Sequence, residues 1–128
     1  MDTPWTRLAK VDQSKEYIAL LTYLPLRPYW KIPAFLRFSF QIRRQMRETP
    51  GGVGYSLRAK ILCRDFWTLS IWENDHALVD FVAKAPHSEA MKSIAPYMGG
   101  TKFTRWKLLG SAIPPSWHEA MKREAQER

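Results

Sequence analysis

At 128 residues and 15.0 kDa the chain is sized for one domain, and a 45% hydrophobic content with 6 Trp, 6 Phe and 5 Tyr supplies a core that a disordered chain would lack. A single cysteine, Cys63, excludes an internal disulfide and a cysteine-based zinc cage, and the chain contains no apolar run of about 18 residues and opens on MDTPWTRLAKVD without an apolar leader, so a soluble protein of a reducing cytoplasm is expected. The net charge of +8 lies wholly in residues 1–64, which hold 12 Lys/Arg against 4 Asp/Glu; this field could steer an anionic ligand, nucleic acid or an acidic membrane, or simply solvate a helix face.

Residues 1–16 read as an N-terminal arm. Residues 17–26, YIALLTYLPL, are an apolar run rich in strand-favouring residues and closed by proline, which predicts a first strand. RPYWKIP is a loop whose Pro33 suits the first turn of a helix. Phe35, Phe38, Ile42 and Met46 then recur at spacings of 3, 4 and 4, one apolar helix stripe, while Arg37, Arg43, Arg44 and Arg47 lie off it toward solvent. Because the aromatics of this stretch fit core spacing, contact with nucleic acid or a membrane surface is not expected.

TPGG breaks the chain, and VGYSLRAKILCRD follows as a second strand in which Val53, Tyr55, Leu57, Ala59, Ile61 and Cys63 share an apolar face, with Cys63 in the core. FWTLSIWE is a third strand, so the two form a hairpin near residues 64–65. Asn74 is a suitable N-cap for the next helix. Gly99-Gly100 ends the helical region, TKFTRWKLL is a fourth strand, and Ser116 with Glu119 forms a capping-box pattern opening a final helix.

The order β-α-β-β-α-β defines an α+β, ferredoxin-like domain over residues 17–114, with a four-stranded antiparallel sheet, two helices on one face, and an extra helix in 115–128. The other sheet face still needs cover, from a ligand or from a second copy of the chain.

If a new helical segment starts at Pro86, then His87, Met91, Ile94 and Met98 fall at spacings of 4, 3 and 4, which turns the imidazole inward. Pro96 should interrupt that helix near its end. On the third strand Trp67, Leu69 and Ile71 make the greasier face, expected beneath the helices. Phe66, Thr68, Ser70 and Trp72 set two hydroxyls between aromatics, as a pocket lining would. His76 and His118 read as exposed helix-start residues.

The stretch FWTLSIWENDHALVDFVAKAPHSEAM resembles the third strand and second helix of antibiotic-biosynthesis-monooxygenase-like families of the dimeric α/β-barrel superfamily. The matching positions are Trp72, Asn74, Ala77-Leu78, Phe81 and His87; Ser56–Arg58 with FWTLSIW is similar to spheroidene-monooxygenase-like proteins. The resemblance implies a homodimer whose sheets pack together, with a pocket between sheet and helices in each half. Some such proteins oxidise aromatic polyketides with no metal or flavin, and others bind or degrade haem. The haem-degrading pattern carries Asn where Thr22 stands and Trp where Ala77 stands, so only its histidine, His87, is matched.

The expected ligand is a hydrophobic aromatic or polyene-like small molecule, and the expected catalytic form of the protein oxidises it without cofactor. His87 would act as base and Arg58 would stabilise negative charge, with Thr22, Ser56, Thr68, Ser70, Trp72, Phe81 and Met91 lining the site and no metal. The alternatives are haem bound through His87, and a non-catalytic ligand-sensing or structural dimer in which His87 is merely a hydrogen-bonded helix residue.

Overall fold

The apolar run of the first predicted strand is buried on both of its faces because both faces of its sheet are covered. The computed structural model describes residues 2–84 and 87–126, so Pro86, the expected helix start, lies outside the described residues. In chain order the elements are β1 (Thr6–Arg7), β2 (Glu16–Pro25), α1 (Ile32–Glu48), β3 (Gly52–Lys60), β4 (Asp65–Trp72), α2 (Asp75–Ala83), α3 (His87–Ile94), β5 (Lys102–Leu109) and α4 (Trp117–Gln126). The sheet order is β1-β3-β4-β2-β5, every pair antiparallel. Strands β3-β4-β2-β5 and the helices make the predicted ferredoxin-like arrangement.

Local chemistry sets the boundaries. Asn74 caps α2, its Oδ1 accepting from Ala77 N at 2.8 Å, and Ser116 Oγ accepts from Glu119 N at 3.1 Å at the head of α4. α3 stops at Ile94, and a 3-10 turn carries Pro96. The β3–β4 hairpin turns through a 3-10 segment over Ile61–Cys63 and Arg64, whose φ of 59° is the left-handed conformation that closes the turn. The second strand is therefore shorter than predicted, and Cys63 is exposed in a turn instead of sitting in the core. Among the described residues no helix is long and apolar enough to cross a membrane.

The arm joins the sheet. β1 adds a fifth strand, pairing Thr6 with Tyr55 and Arg7 with Gly54. Gly54 permits this approach, because a Cβ there would lie 2.8 Å from Thr6 O and inside the Trp5 ring. A register shift between Gly52 and Gly54 splits the predicted apolar face of β3. Val53 joins the cluster containing Leu69 and Ile71, while Tyr55 joins the one containing Trp72 and Phe81.

The sheet is covered on both faces by this one chain. One face lies under α1, α2 and α3. The other carries Tyr17, Ala19, Leu21, Trp67, Leu69, Ile71 and Trp106, packed against Trp117, Ala120 and Met121 of α4 and against Trp5 and Val11 of the arm. Glu124, also buried, accepts a hydrogen bond from Trp67 Nε1 at 3.3 Å. The greasy face of β4 thus packs beneath the C-terminal helix, not beneath the other three. On this face α4 lies where the resemblance expects the sheet of a second copy.

Candidate ligand-binding site

The face of β4 with Thr68, Ser70 and Trp72 meets the helices across a cavity of about 590 Å³. Its floor is the sheet: Leu20, Thr22 and Leu24 from β2, Tyr55 and Leu57 from β3, the three β4 residues, and Phe103 and Arg105 from β5. Its roof is helical. The α1 stripe supplies Phe35, Phe38, Ile42 and Met46, α2 supplies Leu78 and Phe81, and α3 supplies His87, Ala90, Met91 and Ile94. The α1 stripe therefore packs on the sheet at Phe35, against Phe66, and at Met46, beside Tyr55 and Trp72, and it also lines a cavity of a size typical for small-molecule sites.

His87 is held in the wall by named contacts. Its ring lies 5.1 Å from Phe81, which itself packs 4.9 Å from Trp72. Nδ1 is 3.3 Å from Val82 O. A carbonyl oxygen can only accept, so in that contact Nδ1 carries the proton and Nε2 keeps its lone pair. Burial lowers the His87 pKa and the Val82 contact raises it, with burial the larger effect, so the ring favours its neutral form. Ser70 Oγ accepts from Trp72 Nε1 at 2.9 Å, which fixes the indole edge.

The α2–α3 corner that presents His87 is clamped from α1 by Gln45. Its Nε2 donates to Phe81 O at 2.9 Å and to Lys84 O at 3.3 Å, and its Oε1 accepts from His87 N at 2.8 Å. Phe81 O also accepts from Lys84 N at 3.4 Å and Lys84 O from Ser88 N at 3.1 Å, so the buried amide reinforces the end of α2 and gives the first N–H of α3 its acceptor. The sequence does not single out Gln45, since Ser39 and Gln41 are uncharged polar residues of the same helix and Gln41 also adjoins the stripe.

Of the predicted site residues, the fold brings together His87, Thr22, Thr68, Ser70, Trp72, Phe81 and Met91. It does not bring Arg58 or Ser56 to them. Arg58 pairs across the sheet with Trp67, and Ser56 with Leu69, which puts both on the face opposite the cavity. There Arg58 binds Asp2 at 2.7 Å and stacks over Trp117, and Ser56 Oγ donates to Thr3 O and accepts from Trp117 Nε1. Both residues fasten the arm and α4 to the sheet. His76 and His118 are exposed, as predicted.

The cation that does border the cavity is Arg43, which the sequence reading placed with Arg37, Arg44 and Arg47 on a solvated face. Those three are exposed, whereas Arg43 is half-buried and borders both the cavity and the outer face that carries the other three. Arg105, also at the cavity edge, is paired with Asp75. Among the described residues no cluster of three or more His, Cys, Asp or Glu is set to hold a metal ion.

No family model matches the chain, and no curated protein matches it. Solved structures do. A "putative monooxygenase" from Fusobacterium nucleatum superposes with a TM-score of 0.71 at 11% identity over 82% of this chain and 48% of that one, so this chain spans about half of that protein's length. A "putative antibiotic biosynthesis monooxygenase" from Caulobacter crescentus gives a TM-score of 0.60 at 19% identity, covering 73% of this chain and 89% of that one. A protein of the same description from Nitrosomonas europaea gives 0.61 at 14%, covering 70% and 95%. The likeness is one of fold: the ferredoxin-like fold of antibiotic-biosynthesis-monooxygenase-like proteins is the fold of this chain.

Proposed function

We propose that the protein binds an apolar small molecule between its sheet and helices, with His87 as the polar group that meets it. The observation that carries this reading is the cavity of about 590 Å³, walled by aliphatic and aromatic side chains with a neutral histidine set into the wall. The descriptions of the structural neighbours support a monooxygenase-like chemistry as the finer form of the proposal.

In that finer form the substrate carries an acidic methylene flanked by aromatic or carbonyl groups. Nε2 of His87 takes a proton from it, and the stabilised carbanion reduces dioxygen, forming a C–OOH bond after the proton returns. Loss of water from that hydroperoxide leaves the carbonyl, so one CH2 and one O2 become one C=O and one H2O. The chain supplies a base near neutral pH, a dry wall, and the Phe81 and Trp72 rings to hold the substrate flat.

A second reading, haem binding through His87, is favoured by one contact. A histidine whose Nδ1–H is tied to a backbone carbonyl presents Nε2 in the manner of a metal-ligating imidazole. In that case His87 would hold the iron and the α1 stripe would enclose the macrocycle, the iron supplying redox chemistry when bound.

The test is a fluorescence titration with the neutral probe N-phenyl-1-naphthylamine, alongside an absorption spectrum with added haemin. Saturable probe binding weakened by Phe81→Ala supports the cavity reading, and absence of binding defeats it. A Soret band present in the wild type and lost in His87→Ala supports the second reading; haemin that leaves the spectrum unchanged removes it.

A further inference from the structure

We infer that the ligand of this cavity is an amphipathic anion, an apolar body bearing one carboxylate, phenolate or enolate, and that Arg43 receives the charged group. The inference rests on the ligand-binding role proposed above and names the class of ligand.

The charges around the cavity are one-sided. Its lining contains Arg43, Arg105 and His87 but no Asp or Glu. Arg105 is neutralised by Asp75, and His87 favours its neutral form. Arg43 is in none of the ion pairs formed by the described residues, and its Nε is buried without a hydrogen-bond partner among them. The guanidinium lies over the Phe40 ring at 5.1 Å and the Tyr55 ring at 6.0 Å. The ring faces attract the cation but offer its N–H groups no conventional hydrogen-bond acceptor.

A guanidinium cannot shed its proton to escape this position. A half-buried guanidinium is stabilised most by a planar anion that accepts two parallel N–H bonds. Arg43 follows Ile42 and precedes Met46 by three residues on α1, so the anion would sit at the edge of the stripe, with the apolar body directed along Ile42, Met46 and Tyr55. This is also the role of charge stabilisation that Arg58, on the opposite sheet face, cannot perform.

The experiment compares 8-anilinonaphthalene-1-sulfonate with the neutral N-phenyl-1-naphthylamine, which shares its ring system and lacks the sulfonate, both titrated by fluorescence into the full chain. The wild type should bind the anion about tenfold or more tighter than the neutral probe. Arg43→Gln should remove that preference while leaving neutral-probe affinity within about twofold, Arg43→Lys should restore part of it, and the exposed-site variant Arg47→Gln should change neither affinity. Equal affinity of the two probes for the wild type overturns the inference without needing a variant. So does an equal loss for both probes in Arg43→Gln, or a loss in Arg47→Gln matching that in Arg43→Gln, which would place the anion on the outer arginine face. Failure of the wild type to bind the neutral probe at all is a different outcome, because it defeats the cavity reading itself.

Discussion

Replacing Gln45 with alanine tests whether the α2–α3 corner, and with it His87, is held from α1. The side chain is buried and makes three hydrogen bonds, to Phe81 O, Lys84 O and His87 N. Each is worth about 1 kcal/mol net, and partners left without water cost more than that. The truncation leaves a gap that water can partly enter on the Lys84 side, so the expected loss is about 2–4 kcal/mol. For a domain of this size that is a fall of roughly 6–15 °C in Tm, read by circular dichroism and checked by urea unfolding with an unchanged m value. Gln45→Glu sharpens the test: it keeps an acceptor for His87 N but sets a carboxylate against the Phe81 and Lys84 carbonyls, so it should cost at least as much at neutral pH. A loss below about 0.5 kcal/mol for alanine, or a stabilised glutamate variant, would refute the clamp.

Four further outcomes follow from the same geometry. His87→Ala should leave the fold standing and weaken binding of the cavity ligand, since a residue beside an existing cavity is truncated at less cost than a packed one; unfolding of this variant would assign the ring a structural role. Because burial holds the folded pKa of His87 below the 6.5 of an unperturbed ring, the unfolded chain binds a proton that the native chain does not. Stability should therefore fall as pH drops below about 6.5 and stop falling from this source below the folded pKa, a component that His87→Gln should delete from the urea-unfolding pH profile. Arg58→Gln should leave ligand binding unchanged and cost no more than about 1 kcal/mol, as its ion pair with Asp2 is partly exposed; a large binding defect would return Arg58 to the site. Ala120→Leu should overpack the interface of α4 with the sheet and cost about 1–3 kcal/mol in unfolding titrations, whereas a neutral effect would mean that α4 is not closely seated there.

The elements were legible where periodicity and caps coincide. The α1 stripe, Asn74, Ser116 and the inward His87 all follow from spacing within one segment, which a sequence displays directly. What a sequence does not display is cross-strand register. Arg58 and Ser56 do lie on the polar face of their strand, but the turn through Ile61–Arg64 pairs that face with Trp67 and Leu69, the greasy side of β4. A one-residue shift in the turn would have exchanged the faces, and residue pattern alone does not choose between them. Arg43 illustrates a second limit. It stands about 60° round the helix from Met46, at the flank of the stripe, and a long side chain from there reaches inward as readily as outward. The covering role of α4 had a signal that went unused: Trp117, Ala120, Met121 and Glu124 repeat at helical spacing and are the residues that meet the sheet.

The measurement that bears most directly on the cavity as a ligand site is a methyl-resolved NMR titration of the full chain with N-phenyl-1-naphthylamine. The two sheet faces carry distinguishable reporters. Leu20, Leu24, Ile42, Met91 and Ile94 line the cavity, while Leu21, Leu69, Ile71 and Met121 lie in the cluster on the far face. The account predicts saturable shifts confined to the first group, together with the His87 ring resonances. Shifts concentrated in the second group, or spread equally over both, would contradict it.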